Sequence, residues 1–85
     1  MDYTFRNQGT CSTQVSFSVD DNGVVSNVRY VGGCNGNLQA VGRLVEGMHI
    51  DEVINRLSGI RCGFKNTSCG DQLAKALIEV RDGNK

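Results

Sequence analysis

Four cysteines, Cys11, Cys34, Cys62 and Cys69, are the residues of this 85-residue chain best suited to chemistry. A thiolate is a nucleophile, a redox group and a soft metal ligand. Four of them can make two disulfides, one tetrahedral metal site, or a reactive thiol among inert ones. Their spacing is C-x22-C, C-x27-C and C-x6-C. It lacks the paired C-x2-C steps of a zinc ribbon, so a shared site has to be gathered from distant turns by the fold. Ordinary buried thiols fit the local sequence poorly. Core cysteines occupy apolar positions inside strands and helices. These four lie in GTCST, VGGCNGN, GIRCGF and NTSCGD, among the Gly, Ser, Thr and Asn of turns.

Two of these turns lead into helices. Residues 68–71, SCGD, match the Ser/Thr-x-x-Asp/Glu capping pattern, with Ser68 as N-cap and Asp71 at the third helical position. Cys69 then falls in the first helical turn, where free backbone N–H groups and the positive end of the helix dipole favour a thiolate. Cys34 stands just before or within the first turn of another helix, with Asn35 and Asn37 as candidate caps. Two helix N-termini can thus offset part of the charge of clustered thiolates. A metal site, a redox or catalytic thiol, and four unreactive thiols all remain open on the residues alone.

The elements that must position the cysteines follow from periodicity. TFRN reads as a short first strand with Tyr3 and Phe5 on one face. TQVSFSV alternates, with Val15, Phe17 and Val19 on one side and Gln14, Ser16 and Ser18 on the other, the pattern of a half-buried strand. DDNG, residues 20–23, is a hairpin signal, and VVSNVRYV is the partner strand, with Val28 and Tyr30 in alternation. From Leu38 the period becomes helical. Leu38, Val41, Leu44, Val45 and Met48 mark one helix, with Gly47 as a left-handed cap. Ile50, Val53, Ile54 and Leu57 mark a second, closed by Ser58 and Gly59. After an irregular stretch over 60–67, Leu73, Ala74, Leu77, Ile78 and Val80 mark a third. Strands followed by helices predict an α+β domain: a small antiparallel sheet of about three strands with three helices on one face.

Other chemistries find little support. Nine basic and nine acidic residues cancel, so no strong field steers the chain to nucleic acid. Two tyrosines and three phenylalanines, scattered, make no base-stacking platform. The chain shows neither a bilayer-spanning apolar run nor a basic-then-apolar leader, so we expect no membrane partner and a cytoplasmic location. A reducing compartment favours thiols or metal over disulfides. His49, the one histidine, reads as a capping or surface residue, and a Cys–His pair would require the fold to bring it to a cysteine. Asp20, Asp21, Asp51, Glu52 and Asp71 read as turn and cap residues, Asp71 also as a hydrogen-bond acceptor beside the cysteines. Gly32, Gly33 and Gly36 form no G-x-G-x-x-G and no Lys-Ser ending, which argues against nucleotide binding.

NTSCGDQLAKAL, together with four cysteines spread along the chain, resembles the TSCPD domain family, and the resemblance covers nearly the whole of residues 1–85 as a single domain. That family occurs alone and as an appendage of coenzyme-B12-dependent ribonucleotide reductases, and the resemblance implies metal binding through the cysteines. Gly70 stands where the signature has proline. Proline is favoured in a first helical turn, so glycine leaves that turn less rigid without removing a ligand. GVVSNVRYVGGCNGNLQAVGRLVEGMHIDEVINRL is more distantly similar to the middle of NifU/IscU iron–sulfur scaffold proteins, implying a NifU/IscU-like architecture. Their three cluster ligands match Cys11, Cys34 and Cys69. Thr13 stands where they carry an aspartate that makes the cluster labile, and Cys62 has no counterpart.

These resemblances imply one metal site made by Cys11, Cys34, Cys62 and Cys69. Zn2+ is the expected ion, with iron or an iron–sulfur cluster as the alternative. A fourth soft ligand in place of a labile oxygen suggests a site that keeps its metal. The expected function is that of an accessory or interaction module with a protein partner, by resemblance ribonucleotide reductase, rather than an enzyme on its own. The alternative is an iron–sulfur or redox thiol protein that passes electrons or clusters to a larger enzyme.

Overall fold

Alternation and turn chemistry build the sheet. In a computed structural model, whose described residues are 1–7, 9–10, 12–33, 35–61, 63 and 65–83, the chain forms β1 (Asp2–Arg6), β2 (Ser12–Val19) and β3 (Val25–Gly32). The strands are antiparallel in the order β1-β2-β3. The β1–β2 register puts Tyr3 opposite Phe17 and Phe5 opposite Val15. Phe5 stacks on Phe17 with ring centroids 5.9 Å apart, and Tyr3 tilts against the same ring at 5.6 Å. At the hairpin, Asp20 Oδ1 accepts the N–H groups of Asn22 and Val24, both at 2.9 Å. This is the local carboxylate-to-backbone bonding that makes Asp a turn residue.

Three helices follow, α1 (Asn35–Val45), α2 (Ile50–Leu57) and α3 (Cys69–Arg81). The α+β architecture expected from the sequence is therefore present. The apolar face of the sheet meets the helices in one core that contains Val15, Phe17, Val25, Val45, Val53, Leu73 and Leu77. The other face carries Thr4, Ser16, Ser18 and Arg29, none of them buried. Burying each large apolar side chain stabilises the fold by about 1.5–3 kcal/mol, which matters in a chain this short.

Helix α1 lies close along β3. A Cβ built on Gly42 would come within 2.9 Å of the Val28 carbonyl oxygen, so only glycine permits this approach. Gly47 ends the α1 region at φ +82°, the left-handed cap expected there. The chain then runs beside the start of β3. Val25 N donates to Met48 O, Gly47 N to Val25 O and Ile50 N to Gly23 O, each at 2.8 Å. Val24 and His49 form an antiparallel bridge. His49 is the N-cap of α2, its Nδ1 accepting the Asp51 N–H at 3.2 Å, in keeping with its expected capping role.

One apolar position departs from the sequence pattern. Leu44, one of the apolar residues that mark α1, is 76% exposed. Gly42 and Val45 sit within about 40° of Leu38 on the helical wheel, whereas Leu44 is turned about 120° from it. The close approach at Gly42 sets which stripe of α1 faces the sheet. No described helix is long and apolar enough to cross a membrane.

Candidate functional site

Ser68 and Cys69 open α3 as the sequence predicts. Ser68 is the N-cap, its Oγ accepting the Asp71 N–H at 3.0 Å, and Cys69 is the first helical residue. The Cys69 side chain is partly exposed at the positive end of the helix dipole. Cys11, Cys34 and Cys62, the other members of the expected ligand set, lie outside the described residues. Among the described residues no three His, Cys, Asp or Glu side chains gather as ligands.

The residues flanking those cysteines in the chain can still be followed. Ser12, next after Cys11, places its Oγ 2.8 Å from Cys69 Sγ. Ser12 also pairs with Gly32, two residues before Cys34. A Cβ on Gly9 would touch Thr67 Cγ2 at 3.2 Å, so the turn before β2 meets the residues before α3 on both sides of Cys11. Three cysteine-bearing turns thus have described neighbours at one end of the sheet.

A register change aims Ser12 inward. Between Ser12 and Gln14 on β2 the partner strand advances only from Gly32 to Val31, a bulge with Thr13 as the extra residue. Strict alternation from Val15 would turn Thr13 inward and Ser12 outward. With the bulge, Ser12 is 1% exposed while Thr13 faces solvent and bonds to Val31 O at 3.3 Å. The residue facing Cys69 is therefore Ser12. A second shift, between Ser16 and Ser18, puts the extra residue on β3 near Asn27, whose φ is +55° and whose N–H donates to Glu46 Oε1 at 2.9 Å.

Polar side chains continue the network. Asn7 Nδ2 donates to Ser12 Oγ at 2.8 Å. Tyr30 OH donates to the Cys69 carbonyl oxygen at 2.9 Å. Burial pushes the Tyr30 phenol above its ordinary value and negative charge on Cys69 adds to the shift, so the phenol stays a donor.

Asp71 fastens the irregular stretch that contains Cys62. It is 4% exposed. Its Oδ1 accepts the Gly59 N–H at 2.7 Å, its Oδ2 accepts the Thr67 hydroxyl, and Lys75 Nζ lies 3.5 Å from the same oxygen. Burial pushes this carboxyl up, but the Thr67 hydroxyl, the Gly59 N–H and Lys75 outweigh it and hold it below the usual carboxylate range. One carboxylate thus pins residue 59 and residue 67 to the first turn of α3.

The capping pattern made Ser68, Cys69 and Asp71 visible in the sequence. Ser12, Asn7 and Tyr30 were not singled out as site residues. Their one sequence signal is that Ser12 directly follows a cysteine; the bulge that turns it inward has no such signal. His49 bridges to Val24 and caps α2. Elsewhere, a groove of about 620 Å³ between β3 and α1 has Arg29, Arg43 and Glu46 in its lining, but none of Asn7, Ser12, Cys69 or Asp71.

Neither the curated proteins nor the solved structures contain a match to this chain. The family model described as the TSCPD domain matches residues 2–81, nearly the whole chain, and so takes in the sheet, the capped third helix and all four cysteines. The chain belongs to the TSCPD domain family.

Proposed function

We propose that this protein is a small metal-binding module in which the thiolates of Cys11, Cys34, Cys62 and Cys69 hold a single Zn2+. The observation that carries the reading is the position of Ser12. The residue that follows Cys11 lies 2.8 Å from Cys69 Sγ and pairs with Gly32 on the strand that leads to Cys34. Asp71 adds support, because it ties both ends of the Cys62 loop to the turn that carries Cys69. The donor chemistry fits as well. Four soft thiolates suit zinc or iron, and the dipole of α3 offsets some of their charge.

Four protein ligands fill a tetrahedral zinc site, so the ion acts as a staple and leaves no position for a reacting water. Function then rests on the surface that the staple organises, and the module serves a protein partner. Family resemblance points to the enzymes of ribonucleotide reduction.

Elemental analysis of anaerobically purified protein tests the reading. We expect about one zinc per chain in colourless protein, in keeping with the four-coordinate rule for structural sites. Iron with visible absorption would replace this reading with the iron–sulfur alternative. Metal-free protein in which one cysteine is alkylated far faster than the rest would replace it with a thiol enzyme.

A further inference from the structure

We propose that Ser12, held in place by Asn7, is a positioning residue that aims Cys69 Sγ at the metal; this rests on the metal-binding reading above. The direction of the hydrogen bonds carries the inference. Asn7 Nδ2 has protons and no lone pair to offer, so at 2.8 Å it must donate to Ser12 Oγ. Thr10 Oγ1 donates its proton to the Ser12 carbonyl oxygen at 2.9 Å. As a metal-bound thiolate Cys69 Sγ has no proton to give, so at 2.8 Å Ser12 is the donor, with Thr10 Oγ1 the poorer acceptor at 3.4 Å. A hydroxyl that donates to a ligating sulfur fixes the direction in which the remaining lone pairs of that sulfur point, as the outer partners of metal ligands do elsewhere.

The setting is rigid. Ser12 is 1% exposed and sits on the bulge. Asn7 is itself anchored, its backbone N–H donating to Thr13 O at 2.9 Å. Asn7 also bears a cost. Its Oδ1 is buried with no hydrogen-bond partner among the described residues, in a residue 9% exposed. A buried acceptor without a protein partner opposes folding. Here the amide gives its donor to Ser12, and its acceptor finds no match among the described residues. This is the arrangement expected if holding the serine is what matters.

Titration of the metal-free, reduced protein with Co2+ tests the inference through two readouts, affinity and the energy of the sulfur-to-cobalt charge-transfer band. Ser12→Ala should weaken Co2+ binding by about 10- to 100-fold, the range for loss of an outer partner of a metal ligand. It should also move the charge-transfer band to lower energy, because the sulfur loses a proton donor, while far-ultraviolet circular dichroism stays that of the wild type. Ser12→Thr, which keeps the hydroxyl, should restore the band position. Asn7→Ala, which frees the serine without deleting it, should give a smaller loss in the same direction, and it decides the matter if Ser12→Ala does not fold. Wild-type protein that binds Co2+ through sulfur, with variants that match it in affinity and band energy, would overturn the role of Ser12 and leave the metal reading standing. Wild-type protein with no sulfur-to-cobalt band would overturn the metal reading and this inference with it.

Discussion

The two ends of the sheet are finished in different ways. At the hairpin end, backbone meets backbone: Val25 pairs with Met48 and Gly47, and Ile50 with Gly23. The side chains beside these bonds, Val25 and Ile50, are buried and apolar. At the end where β2 begins, side chains take over. Asn7 donates to Ser12, Ser12 and Tyr30 bond to Cys69, Asp71 holds Gly59 and Thr67, and among the described residues Asn7 Oδ1 is left unmet. Backbone pairing is largely indifferent to side-chain identity, so it gives stability without constraining chemistry. A polar side-chain network is demanding, and a partly satisfied one is worse for stability than apolar packing. Its presence here is what makes the second end the candidate for function.

Substitutions can break or sharpen that contrast. The largest effect belongs to the shared core. Phe17→Ala removes the ring on which Phe5 and Tyr3 pack and should cost about 3–5 kcal/mol in urea unfolding, much of the stability of a small domain. Next comes the polar end. Asp71→Ala strands the Gly59 N–H and the Thr67 hydroxyl and should cost about 1–3 kcal/mol. It should also make the 59–67 loop the first site of limited proteolysis, whereas Phe17→Ala should expose the whole chain at once. Cleavage of Asp71→Ala elsewhere would deny the carboxylate its role as a clasp.

Gly42→Ala pits two known effects against each other. Alanine favours a helix by about 1 kcal/mol over glycine, but its Cβ would lie 2.9 Å from the Val28 carbonyl oxygen. Overpacking of about 1–3 kcal/mol should win, and thermal unfolding should show a net loss. A gain would mean that α1 moves off β3 freely. The smallest effect is expected for Tyr30→Phe. It deletes one hydrogen bond to the Cys69 carbonyl and should cost about 0.5–1.5 kcal/mol in the same assay.

Much of the fold could be read in the sequence because its signals are local. Val15 and Phe17 alternate inward, Gly47 adopts the left-handed cap, and Ser68 with Asp71 opens α3. Each is decided by a few neighbouring residues. The exposure of Leu44 could not be read, because helical periodicity does not say which stripe of α1 meets the sheet; the contact at Gly42 does. Of the candidate site, the place of Cys69 in the first turn of α3 was legible. The expected positions of Cys11, Cys34 and Cys62 fall outside the described residues. Ser12 was hidden because a one-residue bulge exchanges the inward and outward faces of a strand, and register is a property of two strands together. Asn7 was hidden with it, since its partner is Ser12, and Tyr30 because its partner Cys69 lies far along the chain.

The central claim is that the four cysteines act as one site. The most direct test is the metal bound per chain in the wild type and in Cys11→Ser, Cys34→Ser, Cys62→Ser and Cys69→Ser, each purified anaerobically. The account predicts about one ion per chain in the wild type, as a tetrahedral thiolate site requires, and a marked loss in every one of the four variants. Full occupancy in any of them would contradict it.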